Sequence, residues 1–307
     1  MSQASPSETV LITGGDGFTG IKLSEYLVSR GYNVVRTVHH EHEGSKAVKC
    51  DIRDLASVEK MVAQTRPDFV FHLAGISFVA EKNASLIYDV NVIGSENILL
   101  ALAGQDYSPK KVIMASSANV YGNLSAEILD ETMCPAPVSH YAVSKFGMER
   151  IAANYFDKMD IILTRPFNYT GPGHGENFLV PKIVRHFHEK KSEVELGNMD
   201  VFREINDIRD VVKIYYQLMT SDARSKTVNI CSGRDICLGD IIEKMNELAG
   251  YNIRVNINPD FVRKNEVKRL LGSTRLLAEI IDLQIEYDIN DTLKSMFYNN
   301  GSSSHNG

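Results

Sequence analysis

Thr13-Gly14-Gly15-Asp16-Gly17-Phe18-Thr19-Gly20 joins an apolar, β-branched run at 10–13 to an amphipathic stretch at 17–29. Leu23, Tyr26 and Leu27 recur in that stretch at helical spacing. The glycines fit Gly15-x-Gly17-x-x-Gly20 and, equally, Gly14-x-x-Gly17-x-x-Gly20. Without side chains the backbone turns tightly and approaches a pyrophosphate, and the following helix offers free N–H groups and a partial positive charge. A glycine triplet alone carries little. One with a strand before it and a helix after it is the dinucleotide-binding pattern.

The rhythm continues outward from that loop. Strands are expected at Asn33–Val38, 48–51, 69–73, Lys111–Ala115 and 161–165, with helices at Leu55–Thr65, 85–103 and 141–156. Alternating strands and helices, with continuously apolar strands, imply a parallel sheet covered on both faces: a Rossmann-type, doubly wound α/β fold. Ligands on such a sheet bind beyond the carboxyl ends of the strands. From about Asn168 the joins become irregular, with helices at 179–190, Ile208–Thr220 and 238–250 and strands at Glu193–Leu196 and 228–230. The expected organisation is a dinucleotide-binding domain at 1–167, a smaller, partly interleaved substrate-binding region at 168–298, and a disordered tail at 299–307 (NNGSSSHNG).

Composition narrows the function classes. The 307 residues carry 33 Lys+Arg against 39 Asp+Glu, a net charge of −6, which argues against nucleic acid as the main ligand. With 43% hydrophobic residues a sizeable core can form. Cys50, Cys134, Cys231 and Cys237 are scattered, giving neither a disulfide framework nor a zinc pattern, so no metal is expected. The first eight residues lack the basic-then-apolar order of a signal peptide, and no apolar run is expected to reach membrane-spanning length. A cytoplasmic protein with no membrane partner is the expectation.

Two further clusters carry chemistry. Val35-Arg36-Thr37-Val38-His39-His40, at the end of the second strand, holds no acid to accept ribose hydroxyls. Arg36, His39 and His40 are phosphate candidates, which favours NADP(H) with NAD(H) as the alternative; the two histidines read equally well as solvated loop residues. Tyr141-Ala-Val-Ser-Lys145 places a phenol and an ammonium one helical turn apart, on one face. The ammonium, with an oxidised nicotinamide, is expected to lower the phenol's pKa from about 10, so that Tyr141 exchanges a proton with a substrate oxygen. Ser117 supplies a hydroxyl to the same oxygen, and Lys145 also holds the nicotinamide ribose.

With these pieces the sequence resembles the extended short-chain dehydrogenase/reductase family from residue 10 to about 290. The likeness also draws on Cys50-Asp51-Ile52-Arg53-Asp54, His72-Leu73-Ala74-Gly75, Asn91 and Ser116-Ser117-Ala118-Asn119-Val120-Tyr121-Gly122. It implies that Asp51 and Ile52 meet adenine and that Leu73, Ala74 and Gly75 line the cofactor. Gly14, Gly17, Phe18, Thr19, Asn91 and Pro166 complete the implied cofactor set beside Arg36, His39, Tyr141 and Lys145. Gly75, where the family usually has Ala, is expected only to loosen its loop.

Arg165-Pro166-Phe167-Asn168-Tyr169-Thr170-Gly171-Pro172-Gly173 and Arg263-Lys-Asn-Glu266-Val267 look closest to the branch of GDP-mannose 4,6-dehydratases and GDP-4-keto-6-deoxy-mannose reductases. That likeness implies a nucleotide-diphosphate sugar held by Ser117, Asn119, Asn168, Val180, Lys182, Arg203, Arg263 and Glu266. The three basic side chains suit a pyrophosphate.

Dehydration needs an extra acid/base beside the serine, and Ala118 and Asn119 cannot titrate. The expected activity is therefore NADPH-dependent reduction of a 4-keto-6-deoxy sugar on GDP. A 4-epimerase or 4,6-dehydratase with retained cofactor is the alternative, and a non-catalytic NADP sensor the third class. Family likeness implies a homodimer through helices 85–103 and 141–156, with Ile93, Ile98, Leu99 and Leu102 either at that interface or on the core face.

Overall fold

A computed structural model describes residues 8–39, 47–77, 83–262 and 268–299. Strand β1 (Thr9–Thr13) leads through the glycine loop to α1 (Phe18–Ser29), then β2 (Asn33–Val38), β3 (Val48–Lys49) and α2 (Leu55–Thr65). Next come β4 (Phe69–His72), α3 (Ala84–Tyr88), α4 (Gly94–Ala103), β5 (Lys111–Ala115), α5 (His140–Ala153) and β6 (Ile161–Pro166). The third strand is shorter than expected, so Asp51 lies beyond its end.

Seven strands form one sheet in the order β11-β6-β5-β4-β1-β2-β3, with β11 at Lys226–Ile230. Every pairing in it is parallel. All of β4, and all but the ends of β1 and β5, is buried, because helices cover both faces. One face packs Leu23 and Leu27 of α1 against Val10, Phe71 and Tyr215; the other packs Val58 and Met61 of α2 against Leu11, Val70 and Leu102. Strand order reverses between β1 and β4, which opens the crevice beyond their carboxyl ends.

The later chain supplies β7 (Tyr169–Thr170), α6 (Leu179–His188), β8 (Glu193–Leu196), β9 (Phe202–Glu204), β10 (Asn206–Asp207) and α7 (Ile208–Thr220). After β11 come β12 (Asp235–Cys237), α8 (Leu238–Ala249), β13 (Arg254–Ile257), β14 (Arg269–Leu270), α9 (Arg275–Ile280) and α10 (Ile289–Asn299). Helices α6, α8 and α10 share a separate core built on Val184, Phe187, Ile241, Met245 and Leu293. The interleaving is substantial: α7, β11 and α9 return to the main layer, where β11 is its edge strand. Asn299 closes α10, while 300–307 lie outside the described residues.

The helix expected over 85–103 is not continuous. It starts at Ala84, and a π turn at Asp89–Ile93 interrupts it. The wide turn brings Asn91 fully inside, where its amide donates to the Ser144 hydroxyl at 3.0 Å and to Ile76 O, and accepts from Ile76 N. An extra residue per turn leaves no mark on hydrophobic periodicity, so the sequence reads as plain helix. The 20-residue run Ala84–Ala103 also corrects the membrane reading: an 18-residue window of it has mean hydropathy 1.3, apolar enough to span, yet half of that window is buried inside the protein. Ile98, Leu99 and Leu102 are core residues, whereas Ile93 and Leu100 of this run, and Val143 of α5, are exposed.

A buried hydrogen-bonded chain ties these parts together. Ala74 N donates to Thr13 Oγ1, which pairs with His72 Nδ1 at 2.7 Å; His72 Nε2 pairs with Ser95 Oγ, which donates to Asn91 O. Burial, with the nearby Lys145 charge, pushes His72 down to about 3. Native His72 stays neutral, whereas an unfolded imidazole titrates near 6.5. The unfolded state therefore binds more protons at mildly acid pH. Stability from this group is complete above pH 6.5 and falls by up to ~1.4 kcal/mol per unit as the pH drops toward 3. Urea midpoints at pH 7 and 5 measure this, and His72→Gln should flatten the decline between them.

Candidate active site

The carboxyl ends of β1, β2, β4, β5 and β6 open into one cleft of about 1550 Å³, which continues between α6, β8 and the residues after β13. Gly14, Gly17, Phe18 and Thr19 form its first wall. Gly14 has φ 68°, and a Cβ there would lie 2.8 Å from the Ala74 backbone. A Cβ on Gly20 would run into Gly14 O. Gly17 caps α1 without any side-chain hydrogen bond to the helix, and no acid occupies the first turn. The loop therefore presents backbone N–H groups and the positive helix end to an anion, as a dinucleotide pyrophosphate requires.

Asp51 and Ile52, the expected adenine contacts, line the cleft. Arg53 holds the Asp51 carboxylate at 2.6 Å and drives its pKa down to about 2. Thr37, Val38 and His39 line the cleft at the end of β2; none of the three is acidic, and Asp51 lies close enough to His39 for their charges to interact. Arg36 departs from expectation. It is not on the wall; its stem packs over Gly15, and Nη1 donates to Gly15 O at 3.2 Å. Asn91 departs likewise, its polar atoms being engaged with Ile76 and Ser144 behind the wall. His40, Arg263 and Glu266 fall outside the described residues.

Ser139 caps α5 by accepting from Ala142 N, and the helix turns Tyr141 and Lys145 to its buried face. Ser117, just past β5, lies beside the Tyr141 side chain and accepts from both nitrogens of Asn119 at 3.1 Å. Lys145 Nζ donates to Ala115 O at 2.9 Å. Gly75 does more than loosen its loop: a Cβ there would lie 3.0 Å from Lys145 Nζ and 2.9 Å from Asn91 Oδ1, so its absence admits both groups.

The expected acidification of Tyr141 is overturned in the protein alone. Burial raises the phenol to about 12, and the Ser117 hydrogen bond only partly opposes it. The same burial lowers Lys145 to about 8, with Glu149 pulling the other way. A neutral phenol beside a lysine poised near neutrality is set to give a proton rather than take one.

Asn119, Asn168, Val180, Lys182 and Arg203, the expected substrate contacts, all line the cleft, as does Pro166. Lys182 donates to Glu195 O at 2.7 Å and lies 4.7 Å from the Phe261 ring centre. Arg203 donates to Phe202 O at 2.7 Å. Sequence reasoning missed the aromatic content of this wall. His174 stacks between Phe18 at 4.4 Å and Phe178 at 4.2 Å, and Tyr169 bonds Thr19 at 2.7 Å. Phe178 and Phe261 carry no local pattern; only the fold brings them here. Ser116 was quoted for its motif but given no role. Its buried hydroxyl belongs to a cleft-lining residue and has no partner among the described residues, so it suits a ligand polar atom.

These features fit a dinucleotide on α1 with a second ligand beyond Tyr141. Gly20→Ala should cost ~1–3 kcal/mol of stability by overpacking the loop and weaken NADPH binding. Urea titration and NADPH fluorescence titration check both.

Comparison with known proteins agrees with this architecture. A family model described as GDP-mannose 4,6 dehydratase matches residues 11–296. GDP-6-deoxy-D-talose 4-dehydrogenase from Aggregatibacter actinomycetemcomitans is 32% identical over 94% of this chain and 97% of that protein. A solved putative epimerase from Burkholderia cenocepacia has a TM-score of 0.90 at 38% identity, covering 96% of this chain and 98% of that one. RMD from Pseudomonas aeruginosa, solved with NADPH, has a TM-score of 0.84 at 25% identity, covering 95% and 98%.

Proposed function

Because the chain belongs to the GDP-mannose 4,6-dehydratase family of extended short-chain dehydrogenase/reductases, we propose that it reduces the 4-keto group of a GDP-linked 4-keto-6-deoxy sugar with NADPH. It is an NAD(P)-dependent oxidoreductase acting on nucleotide sugars. The finer reading rests on one observation above others: the residues after Ser117 are Ala118 and Asn119, and the Asn119 amide is donated to the serine. Neither side chain can take a proton from the sugar ring or give one to a leaving hydroxyl, as dehydration would require.

The preference for NADPH rests on the end of β2, where Thr37, Val38 and His39 line the cleft and include no acid. When bound, the reduced nicotinamide supplies a hydride. Gly14, Gly17 and the α1 terminus bind its pyrophosphate, and Lys145 holds its ribose. Ser117 orients the C4 oxygen toward Tyr141. Carbon gains the hydride, oxygen gains the Tyr141 proton, and the C=O bond becomes an alcohol. The Lys145 ammonium stabilises the phenolate left behind until it is reprotonated from water. Substrate phosphates meet Arg203 and Lys182.

A 4-epimerase is the second reading, favoured by the likeness to the Burkholderia protein. Stoichiometry separates the two: a reductase consumes one NADPH per sugar, whereas an epimerase shows no net consumption. With GDP-4-keto-6-deoxy-mannose the 340 nm absorbance should fall; a flat trace with every 4-keto nucleotide sugar rejects the reductase. Tyr141→Phe should lower kcat by about 100- to 10,000-fold with NADPH affinity kept, whereas a sensor would be indifferent.

The protonated state of Lys145 prevails below its pKa of about 8. Reduction should therefore hold at lower pH and decline above 8, and Lys145→Met should abolish that limb of the profile. On this reading the enzyme works in the cytoplasm as a homodimer. The exposed side chains Ile93, Leu100 and Val143 are the proposed interface, so Leu100→Glu should shift the size-exclusion peak to the monomer.

A further inference from the structure

The segment between β7 and α6 is docked on the cofactor loop at two points. Tyr169 and Thr19 share a hydroxyl–hydroxyl hydrogen bond of 2.7 Å. His174 lies between two rings, 4.4 Å from the Phe18 centre at an interplanar angle of 11° and 4.2 Å from the Phe178 centre at 29°. Phe18 and Thr19 open α1, whereas Phe178 is the residue just before α6. Gly171 lets the chain between the two points lie flush, since a Cβ there would meet Ile208 at 2.5 Å and the Phe18 ring at 3.8 Å. The imidazole is fixed in turn: its Nδ1 bonds Thr170 Oγ1 at 3.0 Å, and His174 N donates to Gly171 O at 3.1 Å. Burial pushes His174 down to about 4, so at neutral pH it offers an uncharged aromatic face on each side.

This stack stands where a helix cap usually does. Phe178 makes no side-chain hydrogen bond to α6, and no acid occupies the first turn of that helix. The start of α6 is held instead by Phe178 N, which donates to Gly175 O at 3.1 Å, and by the Phe178 ring on His174. Phe178 O then accepts from Lys182 N at 3.0 Å, and Lys182 lines the cleft. A path of direct contacts therefore runs from Phe18 through His174 and Phe178 to Lys182. A pyrophosphate on the N–H groups of the glycine loop and α1 would fix the first ring in that path. We propose that His174 is a positioning residue: as the middle ring it passes the order imposed by a bound dinucleotide on the start of α1 to the start of α6, setting Lys182 in place before the second ligand enters. The proposal goes beyond the reductase reading and is the same for an epimerase.

Hydrogen–deuterium exchange with and without NADPH tests this in the absence of any substrate. In the wild type, NADPH should slow exchange of the amides at 182–184 by about fivefold or more, the lower end of a typical coupling between sites. His174→Ala should still bind NADPH by fluorescence titration yet lose that protection, and His174→Phe, which restores a ring, should regain it. Each value is read against α8 of the same sample, so a general loosening of the variant cancels. Equal NADPH-induced protection in His174→Ala and the wild type makes the stack plain packing and overturns the proposal, as does no protection in the wild type. A loss of NADPH affinity in His174→Ala that His174→Phe fails to restore makes the imidazole a cofactor ligand and overturns it too. Exchange needs no turnover, so these failures are distinct from that of the reductase reading, which would appear as absent NADPH oxidation.

Discussion

Lys145 keeps an ammonium group where water scarcely reaches, and the rest of the site is arranged around that cost. Burial disfavours its charge and lowers its pKa to about 8. Two features oppose this. Ala115 O accepts from it directly, and Glu149 lies one helical turn further along α5. Glu149 is in turn gripped by both Nε and Nη2 of Arg165, at 2.9 and 2.7 Å, in a pair buried on both sides. Removing one partner of such a pair leaves an uncompensated charge and costs ~3–5 kcal/mol. The same arginine belongs to β6, which delivers Pro166, Phe167 and Asn168 to the substrate wall. One chain of charges therefore fixes the catalytic helix to the strand that carries the sugar side.

Lys145 also depends on uncharged neighbours. Gly75 leaves room for Nζ, and Asn91 braces the Gly75-Ile76 loop from behind. Asn91 reaches that position through the π turn, and Ser95 on the following helix holds neutral His72. Tyr141 O accepts from Ser144, which completes a path of hydrogen bonds from the glycine loop to the Tyr141 backbone. A hydride acceptor and a proton donor must be held within fractions of an ångström, and a closed network of short side chains does this better than long ones.

Much of this was readable from the residues. The glycine loop, the parallel strands and the Tyr141–Lys145 face follow from spacing, because a strand or helix repeats its geometry at every residue. Asn33–Val38, Leu55–Thr65 and Lys111–Ala115 begin and end where the pattern places them. What escaped was non-repeating or depended on burial. The π turn adds one residue without altering the apolar period. Arg36 looked like a phosphate ligand because it sits at the right position, yet its stem is drawn over Gly15. In the protein alone the Tyr141 phenol is shifted upward; spacing shows the nearby lysine but not the depth of burial that sets the direction. The stack of Phe18, His174 and Phe178 joins residues far apart in the chain.

The β8–β13 pair makes no strand pairing with the seven-stranded sheet. Its supports are α6 and α8, through Val194 and Leu196 in a core separate from those flanking the main layer. Substitutions that reshape its loops thus leave the hydride-transfer machinery mechanically undisturbed. Evolution, or an engineer, can exchange what this corner grips while inheriting the redox half intact.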